Sequence, residues 1–166
     1  GKSSKKHEIE INDEEIPDLP ALIMMCKDAK QGKGGDLFLY FDEEGNENDV
    51  KAYHVNEYIQ DISGEKFTAK DFRTWGGTKI AAKTLCTFKK KDNKKERKKN
   101  STKMVKEVAG RLGNTPAVCR GSYIHPKFIN DYMKGSFFRI WKETLGEDMY
   151  PLTKNESHVI RYLENS

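Results

Sequence analysis

The stretch "GRLGNTPAVCRGSYIHP", Gly110 to Pro126, reads as the end of one helix, a capped turn and the start of another. Gly113 reads as a C-terminal glycine, because glycine reaches the left-handed conformation that closes a helix at no steric cost. Thr115-Pro116 reads as an N-cap followed by proline at the first helical position. Pro126 opens the next helix, which runs from Lys127 to Met133, and His125 before it reads as a cap or packing residue. Between these signals lies Tyr123, flanked by the small, polar "RGS". Two readings of it are open. The ring packs into a core, or the phenol reacts. A phenol with a pKa of about 10 is a poor nucleophile unless cations stabilise its phenolate.

Upstream, apolar residues recur at helical spacing. Met104, Val105, Val108 and Leu112 share one face of a helix that starts near Ser101 or Thr102. Thr68 is an N-cap signal for a helix running to about Phe88, where Phe72, Trp75, Ile80 and Leu85 mix with Ala69, Gly76, Gly77, Ala81 and Ala82. Small residues let another backbone approach closely. The Gly76-Gly77 pair lowers helix propensity, so packing or function must offset it. Val55 to Ile62 forms a short helix, and Leu19, Leu22, Ile23 and Cys26 mark another within Ile16 to Lys30. "HEIEI", His7 to Ile11, alternates as a half-buried strand, and "LFLYF", Leu37 to Phe41, is a short apolar strand or extended segment before a turn. A last helix falls within Glu156 to Leu163. The expected fold is mainly α, a multi-helix domain with a small N-terminal β element. The chain reads as one domain, 1–166, with a basic linker at 89–99 inside it.

The net charge is +4, with 30 basic and 26 acidic residues in 166. The excess is local. "KKKDNKKERKK", Lys89 to Lys99, carries a net +6, which leaves about −2 for the rest of the chain. Such a segment, with Lys94 and Lys95 at its centre, suits contact with a polyanion such as DNA phosphate. It equally suits a solvated lysine loop. Three widely spaced cysteines, Cys26, Cys86 and Cys119, fit neither a disulfide framework nor a zinc site, and a reducing, cytoplasmic compartment is the simplest reading. No run approaches the roughly 20 apolar residues that span a bilayer. The first residues have no apolar core of a signal peptide.

Three clusters carry potential chemistry. In "FTAKDFRTWGGT", Phe67 to Thr78, Lys70 and Arg73 are three apart and share a helix face, where two cations repel unless an anion lies between them. Arginine offers a planar fork that matches two phosphate oxygens. In the opening stretch, Asn114 is placed to donate to an anion, the Thr115-Pro116 helix start offers backbone N–H groups, and Arg120 lies three residues from Tyr123. In "GKSSKKH", Lys2 lies on a Gly-Ser-rich turn before a strand.

Together these clusters resemble the catalytic domain of type IB DNA topoisomerases, in the short poxvirus-like form found in bacteria. "GKSSKKHEIEI", "DLFLYFDEEGN", "VNEYIQDISGEKFTAKDFRTWGGT" and "VAGRLGNTPAVCRGSYIHP" carry the resemblance, in the family's order, from Gly1 to about Tyr132. The resemblance implies that Tyr123 attacks a phosphodiester of duplex DNA and forms a 3′-phosphotyrosyl bond. It implies that Arg73 binds the non-bridging oxygens, that Lys2 donates a proton to the leaving 5′-oxygen, and that Lys70 occupies the position where topoisomerases carry lysine and recombinases usually histidine. Asn114 stands where many relatives have histidine. Its amide still donates a hydrogen bond but is no general acid. Lys94, Lys95 and Arg120 are the expected further DNA contacts. No cofactor or metal is implied, and the expected state is a monomer on DNA.

The family also uses an arginine upstream of the lysine hairpin and a separate N-terminal lobe. The chain begins just before Lys2, so the resemblance implies a catalytic domain cut short at its N-terminus, weakly active or inactive alone. Two alternatives are a tyrosine recombinase or integrase, against which Lys70 and Asn114 weigh, and a non-catalytic DNA-binding module that keeps the fold.

Overall fold

A computed structural model of the chain describes residues 8, 10, 11, 17–29 and 37–165. Eight helices and two strands are assigned among them: α1 Leu19–Ala29, β1 Leu39–Phe41, β2 Glu47–Asp49, α2 Ala52–Ser63, α3 Ala69–Thr87, α4 Lys94–Leu112, α5 Pro116–Ser122, α6 Pro126–Lys134, α7 Phe137–Glu143 and α8 Lys154–Glu164. The mainly α class with a small β element is the class expected from the sequence. The described residues fall into two compact units that divide at Ala69–Lys70.

In the first unit, β1 and β2 pair antiparallel, with Tyr40 opposite Asn48. Asp42 closes their turn by accepting from the backbone N–H groups of Glu44 and Asn46 and from the side chain of Asn48. These bonds, led by that from the Asn46 backbone, hold its carboxyl below the usual range. The β element is this hairpin. Of the strand expected at His7 to Ile11, Glu8, Glu10 and Ile11 are in no strand, and His7 and Ile9 lie outside the described residues. α2 starts three residues earlier than expected. Val55, Tyr58 and Ile62, which share one face of α2, are exposed. No described residue of this unit is fully buried.

The second unit, α3 to α8, holds the core. α3 contributes Ala81, Ala82 and Leu85, and α4 contributes Met104, Val105, Val108 and Ala109. Cys119, Ile124, Phe128, Ile129, Tyr132, Phe137, Val159 and Tyr162 complete it. The aromatic centre is tightly stacked, with the Phe128 and Tyr162 rings 4.6 Å apart and Phe137 and Trp141 5.6 Å apart. The hydroxyl of Tyr162 donates to the buried carboxylate of Asp131 at 2.8 Å, so no buried polar atom is stranded there. Burial and that partner push the Tyr162 phenol far above its ordinary value. α8 is tied to α3 by Lys79 and Glu156, whose Nζ and Oε1 are 2.6 Å apart.

The basic segment departs from expectation. It is not a linker up to Lys99, because α4 begins at Lys94, seven residues before Ser101. Asn93 is the N-cap, and its side chain accepts from the backbone N–H of Lys95 at 2.7 Å. Arg97, inside the basic run, donates to the carbonyls of Met133, Lys91 and Asp92, and so pins the start of α4 to the end of α6. The cap and these bonds order a stretch that composition alone marks as solvated. No helix among the described residues is long and apolar enough to cross a membrane.

Candidate active site

The turn after α4 sets the first wall of the site. Gly113 adopts φ +66°, and its N–H bonds back to Ala109 and Gly110. The carbonyl of Leu112 is then left pointing out of the helix end, where four carbonyls lack intrahelical partners. Two side chains take it: Arg73 Nη2 donates at 2.8 Å and Asn114 Nδ2 at 3.1 Å. The negative end of the α4 dipole favours a cation at this point.

The turn after α5 sets the second wall. Thr115 caps α5 by accepting from Val118 N–H, and Pro116 occupies the first turn. Seven residues later the helix closes at Tyr123, with φ −125° and ψ −1°, its N–H bonded to Cys119 O. His125 then caps α6, its Nδ1 accepting from Lys127 N–H. The Tyr123 ring is half-buried at the edge of the core. The guanidinium carbon of Arg73 stands 5.1 Å from its centroid. The two readings of Tyr123 therefore do not compete, since the ring packs while its face meets a cation.

Arg73 of α3 is thus brought to the stretch Gly110 to Pro126, where it shares the Leu112 carbonyl with Asn114 and meets the Tyr123 ring. Lys70 lies one turn before Arg73 on α3 and is exposed. Arg120 is exposed, and Nη2 reaches toward Ser101 Oγ at 3.5 Å, on the side of α5 that faces α4. Lys94 and Lys95 are exposed on the first turn of α4. At 1.5 Å per residue they stand about 27 Å from Leu112, the other end of the same helix. They are not part of the Arg73 cluster. Lys2 lies outside the described residues.

Three residues of α3 neighbour the Tyr123 segment; sequence reasoning missed Thr74 and Thr78 and flagged Gly77 only as one of a glycine pair. Thr78, buried at 2% exposure, accepts from the His125 N–H at 3.1 Å. Thr74 Oγ1 shares its proton between Lys70 O and Ser122 O. Gly77 faces the Tyr123 carbonyl so closely that a Cβ there would overlap its oxygen and sit 3.1 Å from Leu112 Cδ1. A Cβ at Gly76 would meet no described atom of another element within 4 Å, so the close approach inferred from the glycine pair belongs to Gly77.

The arrangement combines a phenol, a guanidinium fork and an amide donor, a set with a candidate nucleophile and donors that match an anion. A family model described as the catalytic core of eukaryotic DNA topoisomerase I matches residues 1–139. The chain is also 35% identical over 115 residues to the DNA topoisomerase 1B of Acanthamoeba polyphaga mimivirus. That match covers 65% of this chain and 34% of the relative, so the chain spans about a third of the curated relative's length. The relative is viral and does not carry the bacterial source expected from the resemblance. With a family model covering most of its length and its Arg73, Asn114 and Tyr123 side by side, the chain belongs to the type IB DNA topoisomerase family, within the catalytic core.

Proposed function

We propose that the protein containing this chain cleaves and reseals one strand of duplex DNA through Tyr123 and so relaxes supercoils. The observation that carries this reading is the meeting of Arg73 with the Tyr123 ring at 5.1 Å, beside the Asn114 amide. In the step, Tyr123 Oη attacks phosphorus and gives up its proton to solvent water. The bond from phosphorus to the 5′-oxygen breaks, and a 3′-phosphotyrosyl ester forms. Negative charge builds on the non-bridging oxygens, where the forked donors of Arg73 and the amide of Asn114 are already fixed. The leaving 5′-oxygen takes a proton, which the resemblance assigns to Lys2, with Lys70 supporting from the face it shares with Arg73. Reversal expels the tyrosine and reseals the strand with no outside energy source, because the ester conserves the bond.

Lys94, Lys95 and Arg120 contact flanking DNA phosphates in this reading, and the protein acts as a monomer in the compartment that holds the genome.

Suicide-substrate trapping tests the reading. The chain, and a version extended by its natural upstream residues, are incubated with nicked duplex DNA, denatured and sized. A covalent adduct from the extended protein that vanishes in Tyr123→Phe supports it. DNA affinity without any adduct favours a binding module. Adducts confined to paired specific sites, with strand exchange, favour a recombinase.

A further inference from the structure

α3 carries Arg73 and, from the next residue onward, a seam of contacts to the backbone around Tyr123. Residues 74, 77 and 78 recur at helical spacing and lie on one face. Each meets a different link of the next segment: Thr74 meets Ser122 O, Gly77 meets the Tyr123 carbonyl, and Thr78 Oγ1 accepts from His125 N–H. Thr74 divides its hydroxyl proton with Lys70 O and so holds less firmly than Thr78. Thr78 is fully buried, and Gly77 admits no side chain without displacing the Tyr123 backbone.

We propose that Gly77 and Thr78 are positioning residues for Tyr123, fixing the backbone from which the phenol projects at a set distance from Arg73. This rests on the functional reading above. Neither residue touches the reacting atoms; both act through the chain at 123–125. The leverage is geometric. A tyrosine hydroxyl lies about 6.5 Å from its Cα, so a backbone tilt of about 10° moves it by about 1 Å. A misplacement of about 1 Å lowers a rate by about 100-fold. DNA affinity draws mainly on phosphate contacts elsewhere and is insulated from such a tilt.

The test uses the full natural chain, a nicked-duplex suicide substrate in single turnover, and four variants: Thr78→Val, Thr78→Ser, Gly77→Ala and Tyr123→Phe. Thr78→Val keeps the shape and removes the acceptor. Its cleavage rate constant is expected to fall about 10- to 100-fold, with DNA affinity held within threefold. Thr78→Ser restores the rate to within about threefold of the parent. Amide hydrogen exchange at His125 accelerates in Thr78→Val and not in Thr78→Ser, a readout that needs no activity. Gly77→Ala lowers the rate without changing His125 exchange to the same degree. Thr78→Val cleaving within twofold of the parent overturns the proposal. So does unchanged His125 exchange, or a rate loss matched by an equal loss in DNA affinity. If the parent and Tyr123→Phe both give no adduct, the functional reading itself falls, and this proposal falls with it.

Discussion

The guanidinium of Arg73 is anchored at one nitrogen, with Nη2 donating to the Leu112 carbonyl at 2.8 Å while its carbon stands over the Tyr123 ring. Among the described residues one N–H is engaged, at Leu112, and the planar fork has further donors suited to a phosphate. The Leu112 bond fixes the plane in which the fork is presented, a condition that a lysine ammonium does not meet.

Arg73→Ala is therefore expected to lower single-turnover cleavage by about 100- to 1,000-fold. Arg73→Lys recovers only part of it, because a point charge replaces a planar fork. Folding stability falls by about 1 kcal/mol, the worth of one hydrogen bond. Rate constants on the nicked duplex, read beside urea melts, check this. A lysine variant within threefold of the parent would show that charge alone suffices.

Glu156 sits 2.6 Å from Lys79 and closes a reciprocal cap with Thr153. The Lys79 hydrogen bond first, then the Thr153 backbone N–H, pull its carboxyl from 4.5 down to about 2. The folded value lies below the unfolded one. The stabilisation is thus complete above about 4.5 and is lost as pH falls toward 2. Glu156→Gln is expected to cost about 1–2 kcal/mol at neutral pH and to flatten the stability curve over that window. Denaturant melts at stepped pH read both effects. Parallel acid profiles for the variant and the parent would count against the assignment.

His158 lies against the Trp141 ring at 3.7 Å between centroids, with Nε2 2.7 Å from the Trp141 carbonyl. Burial pushes the imidazole below 6.5 and Arg161 adds to it, while the carbonyl partner works in the opposite sense. The unfolded chain then takes up its proton at a higher pH than the folded one, so stability falls as pH drops below 6.5. An NMR titration of the imidazole is expected to give a midpoint below 6.5. Melting temperature is expected to decline between pH 7 and 5, and His158→Gln to remove that decline. A midpoint at or above 6.5 would contradict it.

Lys94 and Lys95 stand about 27 Å along α4 from Leu112. That span equals about 8 base pairs of duplex at 3.4 Å each. Reversing both charges is expected to reduce the slope of log affinity against log salt by about 2, on duplexes that extend beyond that distance from the cleavage point. Shorter duplexes are expected to show no change. An unchanged slope on long DNA would mark these lysines as solvated.

The helix ends around the site were legible because each carries its own local chemistry. Gly113 at a positive φ, Thr115 before Pro116, and His125 before Pro126 all act where the sequence puts them. The start of α4 was not legible from apolar spacing, because residues 94–99 are all polar. Its signal was the single Asn93 cap, masked by the lysines around it. α7 escaped because it is seven residues long and its aromatic residues are spent on Tyr132, Phe128 and Tyr162, partners distant in sequence. Within the site, residue types named Arg73 and Tyr123, and the resemblance gave them roles. The bonds that join them run through the carbonyl of Leu112 and the amide of His125, and backbone atoms leave no trace in a one-letter code.

α3 holds Arg73 by its own backbone, and it grips the chain at 122–125 through the residues that follow it. When thermal motion shifts or tilts this helix, the arginine and the root of the tyrosine travel as one body. Fluctuations that would blur the spacing of two independently mounted groups are common-mode here, and the gap between cation and phenol is held even while the surrounding helices breathe.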